Sequence, residues 1–369
     1  AFDHKCVSSL FTETVKVSPC ADLSDQIKSV TKMFDQARLA DVGYSKMYFD
    51  TWGKDNLIIT NGKTGGGFIW NNRTRLWVES PRNLVINSIQ RVLITQFQVA
   101  ENVLRALFPD ENELPNEYEA PGGEKMFVPS SLDFNNVIRD IGKHRNLGGV
   151  VSQLIDTSCF KPDFLNIINA APFELATAGG VVVNFKTKEV RDRVQTDYWS
   201  SETNAKYLGP DADLSIVEEV FDLFADIAAH PGRGNYAECL QVLFGSFLCA
   251  DPGAKIFAQL IGASGNNGKS VLIKIMESCM PKLCSSFNDS LINPKYAKEI
   301  DPFMTQLRSK RFIYNGDTGE HPHIGADPMR KMTGGDQFKA RTLQDAGGDM
   351  RIAGKMFQSS QNGATFDSK

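Results

Sequence analysis

The chain has 369 residues, with 40 Lys and Arg against 44 Asp and Glu, a formal charge of −4, and 41% hydrophobic residues. Such a balance excludes a polycation overall, so any basic surface for nucleic acid must be local or assembled by oligomerisation, and at roughly 150 residues per domain the length predicts two or three domains. No window approaches the ~20 uninterrupted apolar residues of a membrane span, and the opening AFDHKCVSSL lacks the basic-then-apolar order of a signal peptide, so the expectation is an intracellular, soluble protein without a membrane partner.

Seven cysteines (Cys6, Cys20, Cys159, Cys239, Cys249, Cys279, Cys284) are scattered, with no C-x-x-C pair and no His at zinc-finger spacing, which predicts reduced thiols rather than a disulfide framework or zinc site. The chain begins without Met and stops at FDSK. An internal piece of a longer polypeptide is the expectation.

In chain order, residues 21–41 carry apolar residues at helical spacing, and NLIITN and GFIWNN read as short strands around the turn-rich NGKTGGG. RTRLWVES continues the strand set ahead of an amphipathic run over 82–108, so the first part reads as a small α+β module. The acidic, Pro- and Gly-rich stretch 109–127 is expected to be a loop or linker. Helical patterns resume over 132–157. The stretch GGVVVNFKTKEVRDRV (179–194) reads as a β-hairpin, followed by helices over 213–229 and 235–249 and a strand from 255.

Directly after that strand comes GASGNNGKS, which fits G-x-x-x-x-G-K-[ST] between a buried-strand pattern and an amphipathic helix. Glycines 262, 265 and 268 let the backbone bend so that successive N–H groups face phosphate oxygens, aided by the positive end of the following helix. The candidate nucleotide-binding run is Gly262, Ala263, Ser264, Gly265, Asn266, Asn267, Gly268, Lys269, Ser270 and Val271. Lys269 would reach the β and γ phosphates, and the Ser270 hydroxyl would ligate Mg²⁺.

An ATPase also needs an acid at a strand end to hold the metal and another to orient the attacking water. RFIYNGDTGE (311–320) offers the short strand Phe312–Tyr314 with Asp317 assigned to Mg²⁺ and Glu320 to the water; two surface acids in a turn is the plain alternative. GKMFQSSQN (354–362) is again a short strand ending in amides. Asn362, with Gln361 as fallback, would hydrogen-bond the γ-phosphate or the lytic water, against the plain reading of a turn asparagine. Between them, two Gly-Gly-Asp turns bracket QFKARTL, predicting a hairpin with Lys339, Arg341, Arg351 and Lys355 on or near it. Those cations could track DNA phosphates, or belong to a solvated surface balanced by Asp336, Asp345 and Asp349.

Taken in this order, the motifs resemble the superfamily 3 helicases, in particular the primase-helicases of poxviruses, other large DNA viruses and some phages. GASGNNGKS is similar to that group's phosphate loop, with its frequent Asn before Gly-Lys-Ser, and LQVLFGSFLCADPGAKIF to the lead-in before it. MRKMTGGDQFKAR is similar to its Lys-x-x-Thr-Gly-Gly-Asp-x-x-x-x-Arg segment, with Lys331 in place of a neighbouring lysine. NAAPFELATAGGVVVNFKTKEVR resembles the hairpin of the module that precedes the motor. The chain departs from the group where Asp317 stands for a frequent glutamate and where Ser-Ser-Gln-Asn-Gly-Ala-Thr lacks the proline that usually follows the sensor asparagine.

The resemblance implies an α/β fold: a P-loop NTPase core, AAA+-like and of superfamily 3 type, preceded by an α+β module. Its expected divisions are an N-terminal α+β module over 1–130, a helical and hairpin region of the pre-helicase module over 131–230, and a helicase ATPase domain over 231–369, truncated at its C-terminal end. It further implies ATP and Mg²⁺ as cofactors and a homo-oligomeric, hexameric ring translocating 3′-to-5′ on single-stranded DNA in viral or phage replication. An arginine finger beyond residue 369 and a possible upstream primase domain or other replication proteins complete the picture. Two other classes stay open on the residues alone: a P-loop small-molecule kinase or other phosphotransferase, for which 271–307 lacks the clustered arginines of a lid, and a non-catalytic relic that only binds DNA or oligomerises.

Overall fold

The computed structural model describes residues 23–110, 112, 114–143, 147–213, 215–228, 236–251, 255–262, 268–293, 302–316, 323–335, 337–340, 348–363 and 365–366. The chain divides into two compact units, one running up to Arg73 and resuming over Trp77–Phe164, the other taking Thr74–Leu76 and Leu165–Lys369. The expected boundaries at 130 and 230 both fall inside these units.

In the first unit, helix α1 (Leu23–Arg38) buries Ile27, Val30 and Phe34, the i, i+3, i+7 stripe of an amphipathic helix. Helix α2 (Ala40–Tyr48) follows, and then a three-stranded sheet of β1 (Leu57–Ile59), β2 (Gly67–Asn71) and β3 (Leu76–Ser80) in that order. Helix α3 (Arg82–Leu107) is 26 residues long and carries a continuous buried stripe from Val85 to Leu104. Phe34 packs edge-on against Phe97 and Phe134, with ring centroids 5.5 and 4.8 Å apart.

The stretch expected as a linker contains a small hairpin, β4 (Glu117–Glu119) with β5 (Lys125–Phe127), pairing Tyr118 with Met126. Met126 is buried in the same core, and that anchor turns the Pro-Gly-Gly stretch into a tight turn rather than a free connection. Helix α4 (Ser131–Ile141) starts on a reciprocal cap, Ser130 Oγ accepting from Asp133 N while Asp133 Oδ2 accepts from Ser130 N at 2.8 Å. Phe134 and Ile141 of α4, with Val150, Val151 and Leu154 of α5 (Gly148–Ile155), complete this core. The first unit accordingly runs on to Phe164 and includes these helices.

The second unit opens with an antiparallel sheet, β6 (Glu174–Thr177), β7 (Val181–Asn184) and β8 (Val190–Asp192), so the expected hairpin gains a third strand. Helices α6 (Ser215–Ala228) and α7 (Ala237–Ser246) lead to a four-stranded sheet. Its strands are β9 (Phe257–Ile261), β10 (Cys284–Ser286), β11 (Phe312–Asn315) and β15 (Lys355–Ser360), all parallel, in the order β10-β11-β15-β9. Helix α8 (Lys269–Cys279) joins β9 to β10, and helix α9 (Ala326–Thr333) and the hairpin β13 (Phe338–Ala340) and β14 (Gly348–Met350) lie between β11 and β15. The short strands β12 (His323–Ile324) and β16 (Thr365–Phe366) pair with each other.

Side-chain alternation separates the two faces of this parallel sheet. Phe312 and Phe357 join one cluster with Phe244 and Phe247 near α7 and Leu272, Ile273 and Met276 of α8. Ile313 and Met356 face the opposite way, into a cluster with Phe287, Leu291, Ile292, Met329, Met332 and Met350. Both faces are thus covered, as parallel sheets require.

Two buried cations stand at the entry to neighbouring strands. Arg311, 0% exposed, donates to the carbonyls of Leu248, Ala171 (2.9 Å) and Asn169 (3.3 Å), and its guanidinium sits 5.0 Å over the Trp199 ring. Burial pulls its pKa down to about 10, partly offset by Cys249 and Glu174, so it stays charged at neutral pH. Asn204 ties the same module to α8, its N–H and Nδ2 donating to the carbonyls of Cys279 (2.7 Å) and Ser278 (3.0 Å) at the helix end. The β6–β8 module and the parallel sheet are thereby one body. Arg311→Leu is expected to lower stability by about 3 kcal/mol or more, because buried carbonyls lose their donor. Urea unfolding measures this. Arg311→Lys should recover only part, since an ammonium cannot span three carbonyls and stack on an indole.

Candidate functional site

The strand β9 ends at Ile261, and the turn that follows begins with a hydrogen bond from Gly262 N to Ser360 O, 3.1 Å, at the end of β15. Residues 263–267, among them the expected Ala263, Ser264, Gly265, Asn266 and Asn267, lie outside the described residues. The chain resumes at Gly268, which caps α8 with φ +79°. Only glycine takes that left-handed conformation without strain. A Cβ there would also lie 2.5 Å from Ile227 Cδ1 of α6. Space and dihedral both demand glycine.

Lys269 opens the helix, and its ammonium donates back to the Gly262 carbonyl at 3.0 Å, closing the neck of the bend. Ser270 is exposed and Val271 is 46% exposed in the same first turn. Val271 N and Leu272 N of that turn both donate to the Gly268 carbonyl, at 3.0 and 3.2 Å, and the positive end of a helix dipole favours negative charge. Tyr314 donates to the Glu277 carboxylate, which fastens α8 to β11. Burial and the Glu277 partner together raise the Tyr314 pKa, keeping the donor protonated.

The sheet order sets what can meet this helix end. The crossover after β9 runs over the α8 face to the far edge at β10, while the crossovers after β10 and β11 return over the opposite face. Connections therefore part company between β9 and β15, and in open parallel sheets ligands bind in the crevice at the strand ends where that reversal occurs. Gly262 and Ser360 stand at those two strand ends, joined by their backbone hydrogen bond. Asn362 and Gln361, the two sensor candidates, are both exposed in the turn just past β15, which Ser360 Oγ braces by donating to Asn362 O at 2.7 Å. Asp317 and Glu320 lie outside the described residues; the strand before them, β11, ends at Asn315 and is separated from β9 by β15.

The basic residues divide. Lys339 stands in β13 and Arg351 is exposed directly after β14, whereas Arg341 lies outside the described residues. Lys355 is a correction: it is the first residue of β15, 6% exposed, and its ammonium donates to Ser246 O at 2.8 Å and faces Cys249 O at 3.5 Å. Burial lowers its pKa. Its charge serves the end of α7, where a cation suits the helix dipole, and is turned away from any strand outside.

Sequence reasoning passed over a row of polar side chains inside the sheet. Gln259, Gln358 and Asn315 are register partners on β9, β15 and β11. Gln259 Nε2 donates to Gln358 Oε1 at 3.0 Å, and Asn315 Nδ2 to Asp289 Oδ1 at 2.7 Å. The available signal was an amide following apolar residues in each strand, in FAQLI, FIYN and KMFQSS. Burial pushes the thiols of Cys159 and Cys284 up to about 11 and about 12, so neither is a nucleophile at neutral pH. Among the described residues no cluster of three or more His, Cys, Asp or Glu could hold a metal ion.

No protein-family model matches this chain, and no curated protein matches it.

Gly268→Ala is expected to destabilise the chain by more than about 1 kcal/mol, since the native φ is closed to alanine. Combining it with Ile227→Ala should return only the packing part of that loss. Chemical denaturation of the single and double variants separates the two contributions.

Proposed function

We propose that this chain contains an ATP-hydrolysing motor of the superfamily 3 helicase type, a P-loop NTPase that works on single-stranded DNA as a homo-oligomeric ring in viral or phage DNA replication. The observation that carries the reading is the junction at β9 and α8: a parallel strand, a bend whose neck is closed by Lys269 on Gly262, and a helix opened by a glycine at φ +79°, all at the crevice beside β15. The sheet order supports it too, because it brings the candidate sensor turn next to the candidate phosphate loop.

On this reading the Gly262–Val271 run cradles the triphosphate. Lys269 leaves the Gly262 carbonyl for phosphate oxygens as negative charge develops on the transferred group. The exposed Ser270 hydroxyl would serve as a metal ligand with Asp317; bound Mg²⁺ would supply charge neutralisation at the phosphates. Such a site needs no three-carboxylate cluster, since phosphate and water complete the metal's shell. Glu320 orients the attacking water, and Asn362 or Gln361 donates to the γ-phosphate or that water. Lys339, Arg341 and Arg351 on and near the β13–β14 hairpin contribute phosphate contacts to the DNA strand.

In the full-length polypeptide, single-stranded DNA should stimulate ATP hydrolysis, and Lys269→Ala should abolish both hydrolysis and unwinding. Retained unwinding in that variant would refute the reading. Release of phosphate to water rather than to a metabolite, followed by phosphate assay, separates a motor from a kinase. Asn362→Ala and Gln361→Ala, compared at saturating ATP, identify the sensor as the one whose loss costs roughly 100-fold in kcat.

A further inference from the structure

Three amides cross the strands that end at the candidate site, Gln358 and Asn315 buried and Gln259 half-buried. Gln358 on β15 is 0% exposed, takes a hydrogen bond from Gln259 on β9, and leaves its own Nε2 without a partner. Its register partner on the other side, Asn315 of β11, is 5% exposed and bonded to Asp289. By alternation all three point to the face that carries Ile313 and Met356, where the rest of the sheet buries apolar groups. Strands covered on both faces ordinarily read as continuous apolar runs. A fully buried amide with an unpaired N–H is therefore costly, and such a group in a folded protein calls for an explanation.

The placement supplies one. Gln259 lies three residues before Gly262, Asn315 two before Asp317, and Gln358 four before Asn362. Each amide thus sits just behind one of the three candidate segments, on the strand that delivers it. Gln259 and Gln358 are already joined; the unpaired Nε2 is what a link from β15 toward β11 requires.

We propose that Gln358 is a positioning residue for hydrolysis, holding the loop strand β9 to the sensor strand β15 through the Gln259 hydrogen bond and, with nucleotide bound, turning its unpaired Nε2–H toward β11 so that the three strand ends stand at one height. The inference rests on the hydrolase reading above. Gln358 does not touch nucleotide; it acts through the strands that carry the groups that do. A purely structural amide would govern stability, whereas a positioning one governs turnover at saturation.

The test uses the full-length polypeptide that contains residues 1–369, with Gln358→Leu, Gln259→Leu and the double variant. Three quantities are read: affinity for a fluorescent ATP analogue, kcat at saturating ATP with single-stranded DNA, and the thermal midpoint. In Gln358→Leu the affinity should stay within about twofold and kcat should fall roughly 10- to 100-fold, the scale of a small misplacement of reacting groups. The thermal midpoint should change little, because the leucine removes an unpaired buried donor, while the Gln259 amide that loses its acceptor is only half-buried. Gln259→Leu should show the same split, and the double variant should lose no more than the worse single variant. If Gln358→Leu fails to fold, Gln358→Met is read in the same way. An unchanged kcat in a folded variant, or affinity and kcat falling together with the midpoint, overturns the proposal. Absence of turnover in the unaltered polypeptide overturns the hydrolase reading along with it, whereas normal turnover with an unaffected variant overturns this inference alone.

Discussion

The second unit depends on one buried guanidinium. Arg311 enters β11 with no exposed surface and divides its donors among carbonyls of Asn169, Ala171 and Leu248 while lying over Trp199. Those carbonyls belong to two separate stretches of chain, 169–171 and the end of α7. A charge so placed stabilises only with its partners in position, so it fixes the β6–β8 module and the end of α7 against the parallel sheet. Lys355 repeats the arrangement one strand over, on Ser246 and Cys249. Arginine suits the first post because its planar fork can serve several carbonyls at once while its face stacks on the indole, which a point charge cannot do.

With the entry ends of β11 and β15 pinned in this way, their exit ends are placed as well, since a strand is a stiff element with a fixed rise per residue. Insertion of β15 between β9 and β11 is the topological fact that shapes the candidate site. It puts Ser360 against Gly262 and leaves β11 one strand removed. Helix α8 is held at three points: by Gly268 against Ile227, by Glu277 to Tyr314 and by Asn204 at its last carbonyls. Its exposed first turn is therefore presented by a rigid support, the condition under which helix-end N–H groups and a lysine can act on an anion without first being ordered.

Much of this was legible before any coordinates. The helical stripe of α3, the strands β1 to β3 and the strand-bend-helix junction at 257–279 follow from local periodicity and glycine placement, which act over a few residues and so leave their mark in a short window. The role of Lys355 was not legible. A lysine after Ala-Gly near a basic hairpin looks exposed in a string of letters; its burial depends on the carbonyls of Ser246 and Cys249, over a hundred residues earlier. The 109–127 stretch misled for a related reason, because Met126 anchors its hairpin in a core whose other members are distant in sequence. The boundary after Phe164 rather than near 130 likewise reflects which helices share apolar surface.

By itself, then, the amino-acid order determined most of the helices and strands and the bend ahead of α8 with its lysine, since each of these is written in neighbouring residues. Strand order, the division between units, the buried roles of Arg311, Lys355, Gln358 and Asn315 and the pairing of Gln259 with Gln358 were decided only by the tertiary structure. The physical reason is that a polar group's meaning is set by what surrounds it. Whether a guanidinium, an ammonium or an amide meets solvent, a carbonyl or another amide is fixed when segments far apart in the chain close around it.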